Sequence, residues 1–192
     1  MQFDVPRDAA EVRPSLVLVN SVVAAPDERD ALAEVASAAA WFVAVAATSA
    51  RGELGDDLAV DGERMDALRE MRGAVEQILL ARPRASSLAV VNRHETESAP
   101  SWGLDLDGRG ELHVRRRLWG PGVESWLGIV AADCIDLVRR GGRDRIATCA
   151  TPGCRIVLVP DHHRQRYCSS VCAHRTRQAR YQRTRLRADG SA

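Results

Sequence analysis

Cys149-Ala150-Thr151-Pro152-Gly153-Cys154 and, after thirteen intervening residues, Cys168-Ser169-Ser170-Val171-Cys172 set two close cysteine pairs at the C-terminal end of the chain. Zinc takes four ligands in a tetrahedron and favours thiolates, so two such pairs brought together by a short loop fill one site. Pro152-Gly153 suits a tight knuckle that turns backbone N–H groups toward sulfur. Residues 156–159 read as a strand leaving the knuckle, and Asp161-His162-His163 as the turn back. Cys168 then leads into a helix that carries Cys172 in its first turn. Clustered cysteines in a reducing compartment favour metal over disulfides. An iron–sulfur cluster uses the same donors, but the compact spacing and basic surroundings favour zinc. With four cysteines at hand, His162, His163 and His174 are expected at the surface or facing nucleic acid. All four coordination positions are filled, so the site is structural rather than catalytic.

Knuckle, hairpin and helix together read as a small treble-clef or zinc-ribbon-like finger. Its helix, from Ser169 to about Arg187, is rich in arginine and has no nearby acid to form i,i+4 pairs. Ser169 or Ser170 is positioned to cap it. At 100° per residue Arg180, Arg183 and Arg187 share a sector, with Arg177 beside it. Cys172, Ala179 and Leu186 are expected on another side, so that one edge faces the metal and a different one presents the arginines. Arginine grips phosphate with two parallel hydrogen bonds. Arg175, Arg177, Arg180, Arg183 and Arg187 are therefore the candidate nucleic-acid contacts.

Moving toward the N-terminus, Gly141-Gly142 stops a strong helix over 123–140, whose Val123, Trp126, Leu127, Val130, Cys134 and Leu137 recur every 3.6 residues. Cys134 lies on that apolar face as a core residue. Leu104, Leu106, Leu112 and Val114 alternate with polar residues around Asp107-Gly108-Arg109-Gly110, which predicts a β-hairpin near 102–119. Met65, Leu68, Met71, Val75, Ile78 and Leu79 mark an amphipathic helix from Asp61 to about Ala81. Leu88, Val90 and Val91 suggest another. Ala-rich 31–49, with Trp41 and Phe42, reads as a buried helix opened by Pro26-Asp27-Glu28, and residues 16–19 as a strand or helix. The expected fold is mainly α with one β-hairpin: a helical domain over 1–142 and a finger over 143–192.

Charge follows the same division. Residues 1–138 carry 14 Arg and 23 Asp plus Glu, a net of −9, while residues 139–192 carry 13 Arg and 3 acids, a net of +10. Every basic residue is Arg. An acidic body joined to a basic end is the asymmetry of a two-part nucleic-acid binder. No secretory signal is visible, and the longest apolar stretch, 36–47, is too short to span a bilayer. A cytoplasmic protein is expected. No Ser/His/Asp set, phosphate loop or paired carboxylate stands out, so an enzyme is not expected. Asp56-Asp57, Asp105/Asp107 and Asp133/Asp136 read as turn or surface acids.

The cysteine segment, with Arg166-Tyr167 before Cys168 and Ala173-His174-Arg175 after Cys172, resembles the CGNR zinc-finger family. Leu16-Val17-Leu18-Val19-Asn20-Ser21 is similar to the opening motif of the ABATE domain that accompanies it, described as a candidate stress-induced transcription regulator. This chain has Ala173-His174 where the family has Gly-Asn, and Thr151 where Asn is usual; Arg175 remains. The resemblance implies four cysteine ligands, DNA binding and a role in bacterial transcription regulation. The N-terminal domain would then dimerise or sense a small-molecule effector. The alternative is an adaptor whose basic finger binds an acidic protein or its own acidic body.

Overall fold

The computed structural model describes residues 13–23, 29–49, 54, 57–118, 120 and 122–189, apart from the side chains of 23, 29, 48, 49, 115, 116 and 186–189. Six α-helices and three antiparallel strand pairs lie among them: α1 Pro14–Val19, β1 Val22–Val23, β2 Arg29–Asp30, α2 Val35–Ser49, α3 Gly62–Leu80, α4 Ala85–Ser98, β3 Ser101–Leu106, β4 Leu112–Arg117, α5 Gly122–Arg139, β5 Ala147–Thr148, β6 Val157–Leu158 and α6 Ser170–Asp189. The mainly helical expectation holds. None of the described helices is long and apolar enough to cross a membrane.

α3 and α5 form as their periodicity requires. Asp61 caps α3 by accepting the Arg64 N–H at 2.9 Å. Leu68, Met71, Val75, Ile78 and Leu79 of α3 are buried against Val123, Trp126, Leu127, Val130 and Leu137 of α5. Trp126 is fully buried and meets Trp41 and Phe42 edge-on, with ring centroids 5.5 and 5.9 Å apart. α4 packs against both α3 and α5, although only Val91 of its three expected apolar residues is buried; Leu88 stays exposed.

Two readings of the N-terminal part change. Residues 31–34 are a turn, and the helix starts at Val35. Asp30 holds that turn: it accepts the Leu32 N–H and forms a two-pronged ion pair with Arg72, at 2.6 and 2.8 Å. The Arg72 guanidinium keeps the Asp30 carboxyl below its ordinary range. Arg69 closes the same turn by donating to the Leu32 and Ala33 carbonyls, both at 2.7 Å. α2 itself buries one face only, through Ala38, Trp41, Phe42 and Val45, while Val43 is half exposed. Its alanines carry no polarity to mark the outer face. The expected helix start at Pro26 lies outside the described residues.

Asp133 and Asp136 are not surface acids. Asp133 accepts the Ser15 N–H at 3.0 Å and its hydroxyl too, fastening the start of α1, and Arg13 bridges both carboxylates at 2.9 and 3.2 Å. Arg139, Arg140 and Arg13 hold Asp136 below the usual carboxylate range.

At the other end of α1, Asn20 joins the finger to the body. Its side-chain amide donates to the Val157 carbonyl and accepts the Val157 N–H, both at 2.8 Å, so one side chain acts as a strand partner for β6. Val157 is buried with the helical core. Asn20→Ala leaves two backbone groups of β6 without partners and is expected to cost about 2 kcal/mol. Hydrogen exchange at the Val157 amide should speed up; unchanged protection there would show that the clasp contributes nothing.

Candidate metal centre and nucleic-acid interface

The finger is built from local hydrogen bonds around the two cysteine pairs. β5 and β6 pair as Ala147↔Leu158 and Thr148↔Val157. The knuckle follows β5: the Cys149 N–H bonds Ile156 O, the Cys154 N–H bonds Thr151 O, and the Ala150 N–H reaches across to Arg166 O, all at 2.8–2.9 Å. Gly153 sits at φ 78°, the left-handed conformation that a side chain resists. Ser169 caps α6 by accepting the Cys172 N–H at 3.3 Å, which places Cys172 in the first turn as its sequence position suggests.

The four thiols converge. One sulfur from each of Cys149, Cys154, Cys168 and Cys172 lies within 4.8 Å of all the others, and no histidine belongs to the group. Cys154–Cys168, Cys168–Cys172 and Cys172–Cys154 are separated by 3.8, 3.5 and 3.9 Å. A tetrahedron with metal–sulfur arms of ~2.3 Å has edges of roughly 3.8 Å, so the Cys154–Cys168–Cys172 triangle matches zinc, and Cys149 lies within 4.8 Å of each of its corners. The Cys168 N–H points at the Cys149 sulfur from 3.4 Å. Burial alone would raise the Cys149 thiol, but N–H donors from Cys168 and Thr151 outweigh it and lower its pKa to about 7. Cys154 and Cys168 are pushed up, first by burial and then by the neighbouring sulfurs. Four thiols that crowd one another in this way share a demand for a cation. Cys134 stands apart: burial pushes it up to about 12, so it is an inert core thiol.

Thr151 and Thr176 brace the cysteine cluster, a role that sequence reasoning missed. Both are buried. The Thr151 hydroxyl donates to the Cys172 carbonyl at 2.9 Å and accepts from the Thr176 hydroxyl at 3.0 Å. They tie the knuckle to the helix that carries the fourth cysteine. The signal was Thr151 standing where the family usually has Asn.

The arginine helix differs from its expected geometry. Cys172 and Thr176 are buried and Ala173 and Ala179 half-buried, whereas every described side chain from Arg180 to Arg185 is exposed. Thr176 falls within the angular sector of Arg180 and Arg183. Over residues 172–179 one side is packed and Arg175 and Arg177 are exposed beside it, whereas from Arg180 onward no described side chain is buried. The last ten residues of α6 extend ~15 Å beyond Ala179. Among the described residues no carboxylate lies within ion-pair distance of Arg177, Arg180 or Arg183. Arg175 is exposed, and the Arg187 side chain lies outside the described residues. His162, His163 and His174 are exposed, away from the sulfurs.

The family model described as "putative stress-induced transcription regulator", ABATE, matches residues 12–141. The chain belongs to the ABATE family. A second model, the CGNR zinc finger, matches residues 145–185, directly after it. Curated proteins give no match to the chain. The ABATE match covers α1 to α5 with the hairpin, and the CGNR match covers the cysteine cluster with most of α6. The chain thus joins a domain of that description to a zinc-finger segment that holds the four clustered cysteines, and neither match is to an enzyme family.

Proposed function

We propose that this protein is a bacterial, cytoplasmic transcription regulator that grips DNA with α6, one zinc ion on Cys149, Cys154, Cys168 and Cys172 fixing where that helix starts. The observation that carries the reading is the stretch from Arg180 to Arg185, whose side chains are all exposed, with no carboxylate among the described residues within ion-pair distance of Arg180 or Arg183. Like charges along a helix oppose its formation, and a polyanion relieves that cost. Arg175, Arg177, Arg180, Arg183 and Arg187 supply phosphate contacts, with room for a bidentate guanine contact. The ABATE body, over about 1–142, dimerises or senses an effector, and the Asn20–Val157 clasp gives it a direct hold on the finger. The adaptor alternative, with the finger docked on its own acidic body, finds no ion pair from Arg177, Arg180 or Arg183 to that body among the described residues.

Binding to random duplex DNA as a function of salt tests the proposal. log K should fall by ~0.9 per phosphate contact for each log unit of salt. Arg180→Ala and Arg183→Ala should each weaken binding and lower the slope by about one unit. Arg93→Ala is the matched control, because the contacts of Arg93 with Glu70 and His94 are both exposed; Arg69 is unsuitable since it closes the turn at Leu32. No binding at ~50 mM salt would end the DNA reading in favour of a protein partner.

A further inference from the structure

The body of the protein is acidic, yet four exposed arginines gather where it meets the finger. Arg82 and Arg84 lie in the turn between α3 and α4, and Arg143 and Arg145 follow α5. The Arg143 guanidinium donates to the Ala81 carbonyl, which sets it beside that turn although 62 positions separate the two residues. Arg145 reaches the Pro160 carbonyl at 3.4 Å, at the start of the loop that returns to Cys168. That loop adds exposed Arg164 and Arg166 before α6 begins. Within 81–84, 142–145 and 160–166 the acids are Asp144 and Asp161, against six arginines.

Pairing sets the four apart. Away from the hairpin, the other arginines of the body whose side chains are described each hold an acid, as Arg13 and Arg140 hold Asp136, Arg72 holds Asp30 and Arg93 holds Glu70. Among the described residues no carboxylate lies within ion-pair distance of Arg82, Arg84, Arg143 or Arg145. The dipole of α3 favours a cation at its C-terminal end, which accounts for Arg143 on the Ala81 carbonyl. It does not account for Arg84, which precedes the first turn of α4, where a cation is disfavoured, nor for Arg145. The body, at −9 over residues 1–138, repels a polyanion in general. A basic spot beside the finger marks the side on which the body can touch one.

We propose that this junction is a second nucleic-acid contact, in which Arg82, Arg84, Arg143 and Arg145 bind backbone phosphates of the duplex that α6 grips. The inference rests on the DNA reading of the finger and extends the interface onto the ABATE body. Phosphate contacts fix the orientation of a protein on the duplex and carry no base sequence. The junction therefore adds affinity and sets the angle of the body on DNA, and leaves site selection to the helix.

Binding of the full chain to random duplex DNA across a salt series is the test, with Arg82→Ala and Arg84→Ala combined in one variant. That variant should bind roughly 10-fold more weakly at ~100 mM salt and lower the slope of log K by about two units. Its melting temperature should not change, because both side chains are exposed. Arg82→Lys with Arg84→Lys should keep the slope, since lysine still neutralises phosphate. A slope lowered by the alanine pair but not by Arg180→Ala would uphold the junction contact and end the α6 reading. A slope lowered by Arg180→Ala alone would overturn the junction contact and leave α6 standing. A loss in the alanine pair that is equal at every salt concentration would overturn it too. No DNA binding at ~50 mM salt would end both.

Discussion

Removing the metal is expected to unfold residues 145–185 while the ABATE helices stay folded. Apart from Val157 and the flanking Ile146 and Val159, the finger adds nothing to the main hydrophobic core. Its strands β5 and β6 are two residues each. Zinc held by four thiolates supplies on the order of 10 kcal/mol at neutral pH, which exceeds anything those strands provide. Chelation, or Cys172→Ser, should abolish amide protection at Cys149, Ala150 and Cys154, whose N–H groups form the knuckle, and eliminate DNA binding. α3 and α5 should keep their protection. α1 should loosen slightly, because Asn20 loses Val157. The metal must also compete with protons for thiols that are raised in its absence, so the finger should release it as pH falls. One equivalent of metal per chain is expected. Knuckle amides that remain protected after the metal is stripped would show that the finger is held by packing alone.

Two helix glycines should respond to the same substitution with opposite signs. At Gly128, in the middle of α5, a Cβ would lie 1.9 Å from Ser98 O and 2.8 Å from Ala99 N. Both are backbone atoms at the end of α4, so the helices must separate. Gly128→Ala is expected to cost about 3 kcal/mol and to lower the melting temperature by roughly 10 °C. At Gly73, in the middle of α3, nothing lies within 4 Å of the added carbon. Gly73→Ala should therefore stabilise by about 0.7 kcal/mol through helix propensity and a less flexible unfolded chain. Thermal melts of the two variants settle both signs. A stable Gly128→Ala would mean that α4 and α5 do not cross as closely as described.

The cysteine cluster was legible in the sequence because ligand spacing is local: a knuckle, a short return and a helix start are each set by a few neighbouring residues, and tetrahedral metal geometry supplies the closure. α3 and α5 were legible for a related reason, since a 3.6-residue stripe records the side that faces a core. At the hairpin the same record is incomplete. Alternation of Leu104, Leu106, Leu112 and Val114 correctly gave two paired strands, yet alternation does not say whether the apolar side meets this chain's core or another molecule. It also failed in α2, where alanine marks neither side.

Tertiary structure decided the rest. Asn20 and Val157 are separated by 137 positions, and a polar side chain that pairs with a distant backbone leaves no periodic trace. Asp133, Ser15 and Arg13 meet from opposite ends of the ABATE match in the same way. Gly128 and Gly73 look alike in sequence and differ only in what approaches them. The arginines of α6 were named from sequence, but the burial of Thr176 among them appears only in the folded chain. Composition and spacing thus determined which cysteines cluster and where the charge lies. Packing determined what is left uncovered, because exposure is a property of the whole assembled surface and not of any segment of it.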